Sequence, residues 1–117
     1  MIKEDYCSDE VVKLLKEKGF NEPVTELNRL LFEEGKKPVL KITIQKAMKW
    51  LREVYKFEVR STYDYDKESW WGNINPMFEE TDENSDIYQK ALGFDYQGKS
   101  YEEACEAAIK YCLENLI

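Results

Sequence analysis

Apolar residues recur along this chain with two different periods, and the change of period divides it into elements. Between residues 8 and 18, Val11, Val12, Leu14 and Leu15 form a stripe of helical spacing. Ser8 stands where a hydroxyl can accept from first-turn N–H groups. Asp9 and Glu10 place negative charge at the positive end of the helix dipole. Gly19 supplies a left-handed stop, beyond which Phe20 can fold back. The most regular stripe runs over 43–55. There Ile44, Ala47, Met48, Leu51, Val54 and Tyr55 face one way behind a Thr43 cap, with Trp50 roofing the edge of the stripe. A third helix is expected over 101–115. It opens on the capping box Ser100–Glu103 and turns Tyr101, Ala104, Cys105, Ala108, Cys112 and Leu116 inward. The alanines of that stripe allow the helix to lie close to a sheet.

After Lys56 the period becomes two. Phe57, Val59, Ser61 and Tyr63 point to one side, and Glu58, Arg60, Thr62 and Asp64 to the other. The polar stretch 64–68 then reads as a turn, and Ser69 to Ile74 as a second, aromatic-rich strand. Pro76 ends that strand or sits at an edge, since it cannot donate to a ladder. Residues 79–86 are acidic and read as exposed. Residues 86–92 fit a short helix stopped by Gly93, with Ile87, Tyr88, Ala91 and Leu92 inward, and Phe94 to Tyr96 a last short strand. Between the first two helices, Asn21-Glu22-Pro23 is a break, Thr25 to Glu34 fits either a helix or a hairpin arm, and Gly35 to Pro38 is a turn. The expected fold is α+β within a single domain over 1–117. A small antiparallel sheet, a hairpin at about 57–75 plus a strand at about 94–96, packs against helices at about 8–18, 43–55 and 101–115. An αβα sandwich is the alternative.

Composition adds exclusions. The chain has 117 residues, 43% hydrophobic and 35% charged, a globular balance. No apolar run approaches the roughly 18 residues of a membrane span, so no membrane partner is expected. The opening residues carry no basic region followed by an apolar stretch, so no secretory leader is expected either. Histidine is absent, which removes His-based acid–base and triad chemistry and most zinc and iron sites. Three cysteines, Cys7, Cys105 and Cys112, form no CxxC pair. An odd count without a leader points to reduced thiols and a cytoplasmic setting. Cys7 precedes a helix N-terminus, where a thiolate would be stabilised, yet it has no base beside it in sequence. All three read first as small buried hydrophobes. No nucleotide-binding glycine motif and no nucleophile elbow occur. No catalytic residue, metal ligand or cofactor is assigned.

Charge is unevenly spread within a net of −7. Residues 36–60 hold eight basic residues and two acidic ones, while 61–98 hold two basic and nine acidic. The basic block brackets helix 43–55, so Lys46, Lys49, Arg52 and Lys56 are the candidate nucleic-acid contacts, with Trp50 near for stacking. The plainer reading is the wet face of an amphipathic helix. In the acidic block, Asp64, Asp66 and Glu68 alternate like half a calcium loop but lack its central glycine and distal glutamate. Phosphate mimicry by the carboxylates of 64–83 needs a rigid surface, and many of these lie in predicted loops. Tyr63, Tyr65, Trp70 and Trp71 are the candidate partner surface. Trp70 and Trp71 are adjacent, so in a strand they face opposite sides. One is expected in the core, and the other is either an interface anchor or packed beneath 76–92.

Three stretches together carry a resemblance: Tyr6-Cys7-Ser8 with Leu14 through Pro23, Ala47 through Val54, and Tyr101 through Ile109 continuing to Leu116. On these the chain resembles small proteins of unassigned function carried by phages, prophages and other mobile elements of gut anaerobic bacteria. The shared motifs are structural: a helix start, a helix stop and a stripe. The resemblance implies a bacterial cytoplasmic setting and an accessory role, and it carries no catalytic residues. The expected function is a non-enzymatic protein-interaction module whose partner is a second copy or a host or phage protein. The alternative is a nucleic-acid-associated protein using the basic face of helix 43–55.

Overall fold

The computed structural model describes residues 5–20 and 41–117. The first helix, α1, spans Asp9–Glu17, and the Ser8 hydroxyl accepts from the Val11 amide as expected. Gly19 takes φ +99°, and the Phe20 amide returns to the Leu15 carbonyl at 2.9 Å. The second helix, α2, spans Ile44–Trp50 and is capped by Thr43, whose hydroxyl accepts from the Lys46 amide at 3.1 Å. It does not continue as α-helix. Leu51–Tyr55 is a π-helical turn that Lys56 ends in the left-handed region at φ 64°. The possible helix over 25–34 and the turn at 35–38 lie outside the described residues.

Strand β1, Phe57–Asp64, pairs antiparallel with β2, Ser69–Pro76, and β2 pairs antiparallel with β3, Asp95–Gly98. The sheet is open, in the order β1-β2-β3. Its third strand starts one residue later than the sequence suggests and runs to Gly98. Between β2 and β3 lies α3, Ser85–Leu92, so the 86–92 segment is helical. The last helix, α4, is Tyr101–Tyr111, with the Ser100 hydroxyl on the Glu103 amide, and it too passes into a π-helical turn, Cys112–Leu116. This is a small α+β fold: four helices among the described residues and a three-stranded antiparallel sheet.

One face of the sheet makes the core. Phe57, Val59 and Ile74 are buried on it beneath Ala104, Cys105, Ala108 and Ile109 of α4. The approach is close at one point. A Cβ on Gly72 would stand 2.6 Å from the Ala104 carbonyl oxygen, so bare backbone is required there. The small residues on both sides let helix and strand meet, as the alanine stripe predicted. Val11 and Leu15 of α1, and Ile44, Ala47, Met48 and Leu51 of α2 and its π turn, complete the core. Two segments ahead of the helices are tied together: Tyr6 bridges Thr43, and the Cys7 amide donates to the Ile42 carbonyl at 2.8 Å. No described helix covers the other face of the sheet, which argues for two layers rather than the sandwich.

Three inward assignments are corrected. Val54 is 55% exposed, because the extra residue of the π turn rotates it off the stripe. Ile87 is 37% and Leu92 49% exposed. Helix α3 buries only Ala91 fully, and its Tyr88 is half-buried against Phe78. In the other direction, Ile109 and Leu113, outside the expected stripe of the last helix, are fully buried. Trp50 does roof its helix, in edge contact with Phe20 and Tyr55.

Candidate interaction surface at the hairpin tip

The turn between β1 and β2 is built by one carboxylate. Asp64 Oδ1 accepts from the amides of Asp66, at 3.0 Å, and Lys67, at 3.3 Å, the local bonding that makes aspartate a turn residue. Its Oδ2 accepts from Trp71 Nε1 at 2.9 Å. The indole bond first, and then the two amides, hold the Asp64 carboxyl below its usual range. Lys67 Nζ lies 5.1 Å over the Trp71 ring. Glu68 completes the turn with φ 49°. Both oxygens of Asp64 are thus engaged within the protein, and the half calcium loop is a turn anchor. Among the described residues no group of His, Cys, Asp or Glu is arranged to hold a metal ion.

On the helix side of the sheet the turn carries a run of aromatic rings. Tyr63 and Trp70 are paired across the ladder with centroids 5.2 Å apart. Tyr65 meets Tyr63 at 5.0 Å, and Trp70 meets Tyr101 of α4 at 5.7 Å. All three contacts are edge-on, the favoured arrangement for ring quadrupoles. The run starts against α4 and ends in solvent, with Tyr63 39% and Tyr65 86% exposed. Three of the four candidate surface residues, Tyr63, Tyr65 and Trp70, therefore come together. The fourth does not: Trp71 lies on the opposite face, held by Asp64 and Lys67. Neither tryptophan enters the core, a correction to the expectation for one of them, and both are half-buried. Tyr101 is the member that sequence reasoning assigned only to the helix stripe. No signal in the sequence ties it to the hairpin, because its neighbour Trp70 belongs to a different, distant element.

The basic candidates form a looser set. Lys46, Lys49, Arg52 and Lys56 are all exposed. Lys49 faces Glu53 one turn on, with Nζ and Oε1 4.0 Å apart. Lys41 lies 5.3 Å over the Tyr6 ring. Lys36 and Lys37 fall outside the described residues. The acidic loop before α3 is ordered by Asn84, whose Oδ1 accepts from the Thr81 amide and whose Nδ2 donates to the Glu79 carbonyl. The three cysteines are free and buried. Burial, reinforced by Glu106, pushes the Cys7 thiol up to about 12, the reverse of an activated thiolate. Burial alone takes Cys112 to about 12, and it also raises Cys105.

No described helix is long and apolar enough to cross a membrane. No protein-family model, no curated protein and no solved structure matches this chain.

Proposed function

We propose that this chain is a non-enzymatic protein-interaction module of phage or mobile-element origin, acting in the bacterial cytoplasm, and that it contacts its partner through the tip of the β1–β2 hairpin. The supporting observation is the ring run Tyr101–Trp70–Tyr63–Tyr65, anchored on α4 at one end and exposed at the other. A side chain that must be immobilised on binding costs about 0.5–1.5 kcal/mol. Tyr63 and Trp70 are already held by their neighbours, so that cost is small for them. Large, stiff rings that offer apolar area and a hydroxyl are the side chains on which protein interfaces concentrate their energy.

The test is a pull-down of the tagged chain from bacterial lysate, with and without nuclease, run beside Tyr65→Ala. A stoichiometric protein band that survives nuclease is expected for the wild type. The variant is expected to lose about 2 kcal/mol of binding, roughly a thirtyfold weakening, with its unfolding midpoint unchanged. Equal recovery by both would place the contact elsewhere. Nucleic acid in the eluate, lost on nuclease or salt, would instead favour Lys46, Lys49, Arg52 and Lys56 as backbone contacts.

A further inference from the structure

We propose that the outer edge of β1 pairs antiparallel with the same edge of a second copy, across a two-fold axis at Val59. The surface is separate from the hairpin tip and does not rest on it. The Met77 amide donates to the Lys56 carbonyl at 2.8 Å, which makes Lys56 and Met77 a hydrogen-bonded pair of the β1–β2 ladder. Antiparallel pairs alternate between bonded and non-bonded. Glu58, Arg60, Thr62 and Asp64 therefore turn their backbone groups toward β2, and Phe57, Val59, Ser61 and Tyr63 turn theirs away from it. Among the described residues no backbone hydrogen bond reaches those four. β1 is an edge strand of eight residues in unbroken register, without proline, bulge or a charge on its core face; the charges it carries, Glu58, Arg60 and Asp64, stand on the open face, where they decide which edge it accepts.

Charge selects both the occupant and the register. Glu58 and Arg60 stand two apart on the open face, Arg60 Nε donating to Glu58 Oε1 at 2.5 Å. An axis at Val59 sets Glu58 opposite Arg60 of the second copy, and Arg60 opposite its Glu58. Four charges then alternate in sign around a square. An axis at Arg60 would oppose two arginines, and one at Ser61 would oppose Glu58 and Asp64. An axis at Thr62 would oppose Arg60 and Asp64, whose oxygens already serve the turn. Opposite charges directly across a strand pair stabilise it and like charges destabilise it. The pairing would join two sheets into one of six strands.

Sedimentation equilibrium on the full chain tests this. The wild type is expected at twice 13.9 kDa, dissociating on dilution. Glu58→Arg and Arg60→Glu are each expected to weaken the dimer about tenfold or more, because each sets like charges across the axis. Mixing the two variants restores opposite charges across it, and the dimer is expected to return. Circular dichroism establishes that each variant is folded. If either is not, the double reversal carries the test, with a dimer expected. Tyr65→Ala is expected to leave the dimer intact. A wild type that stays at 13.9 kDa, reversals without effect, a mixture that fails to associate, or loss of the dimer in Tyr65→Ala would each overturn the proposal.

Discussion

A methyl group on Gly72 would meet the Ala104 carbonyl oxygen at 2.6 Å, and both atoms belong to backbone, so neither can swing away. Helix α4 would have to lift from the sheet over its buried turn, where Ala104, Cys105 and Ala108 are wholly excluded from solvent. Gly72→Ala is therefore expected to cost about 1–3 kcal/mol, the range for overpacking a core, although alanine suits a strand better than glycine does. Urea unfolding measures it, and a midpoint equal to the wild type would mean that the helix has room to move. At this scale the sequence was legible where chemistry is local. Ser8, Thr43 and Ser100 each bond an amide three residues on, and the cap is written in those few residues. Gly72 was not legible as a contact point, because its partner lies 32 positions further along the chain.

Among the elements, the β1–β2 turn depends on a single titrating group. The Trp71 indole and the turn amides favour the ionised form of Asp64, so its folded value lies below the ordinary 3.8. The support it gives the turn is then present above that value and is lost as pH falls through the lower, folded one. Tryptophan fluorescence of the wild type minus that of Asp64→Asn is expected to show an acid step below pH 3.8. A step at or above 3.8 would mean that the indole bond does not hold the carboxylate. The strands themselves were readable because period-two alternation survives burial: Phe57 and Val59 are inside, and Glu58 and Arg60 are not. The ends of α2 and α4 were not. A π turn inserts a residue without altering composition, so a stripe extrapolated at 3.6 residues per turn goes wrong at Val54 and misses Leu113. Pro76 could be placed only once pairing was known. It sits in a non-bonded position of the β1 ladder, so its nitrogen turns to the β3 side of β2, past Asn73, the last residue that β3 reaches, and its missing N–H costs the sheet nothing.

Over the whole molecule the three thiols share one fate. Each is buried, and Cys105 and Cys112 have no exposed surface. Burial raises all three above the ordinary thiol range, which deepens their inertness. A thiol-specific disulfide reagent at mildly alkaline pH is expected to label none of them in the native protein and three in denaturant. Native labelling should be slower by about a thousandfold or more if it requires global opening. Prompt reaction of one thiol would show that its region opens independently. The fold class was legible from the order of elements. The candidate surface was legible only in part: adjacency placed Trp70 and Trp71 on opposite faces, but the link from the hairpin to Tyr101 exists only after α4 is laid across the sheet.

The bonds that hold α1 have a consequence in time. Glu106 accepts from the Ser8 amide at 2.7 Å, Glu10 pairs with Lys110 at 2.8 Å, and Lys18 Nζ reaches the Ile117 carbonyl at 3.1 Å. The first of these partners are 98 positions apart. A nine-residue helix is too short to persist alone in water. At elongation rates of about 5–20 residues per second its docking site is completed roughly 5–20 s after Ser8 is polymerised. For that interval Val11 and Leu15 emerge from the ribosome with nothing to cover them, while β1 and β2 can already form their hairpin. Helix α1 is made well before the residues that secure it, which leaves it open to nascent-chain chaperones and proteases in the interval.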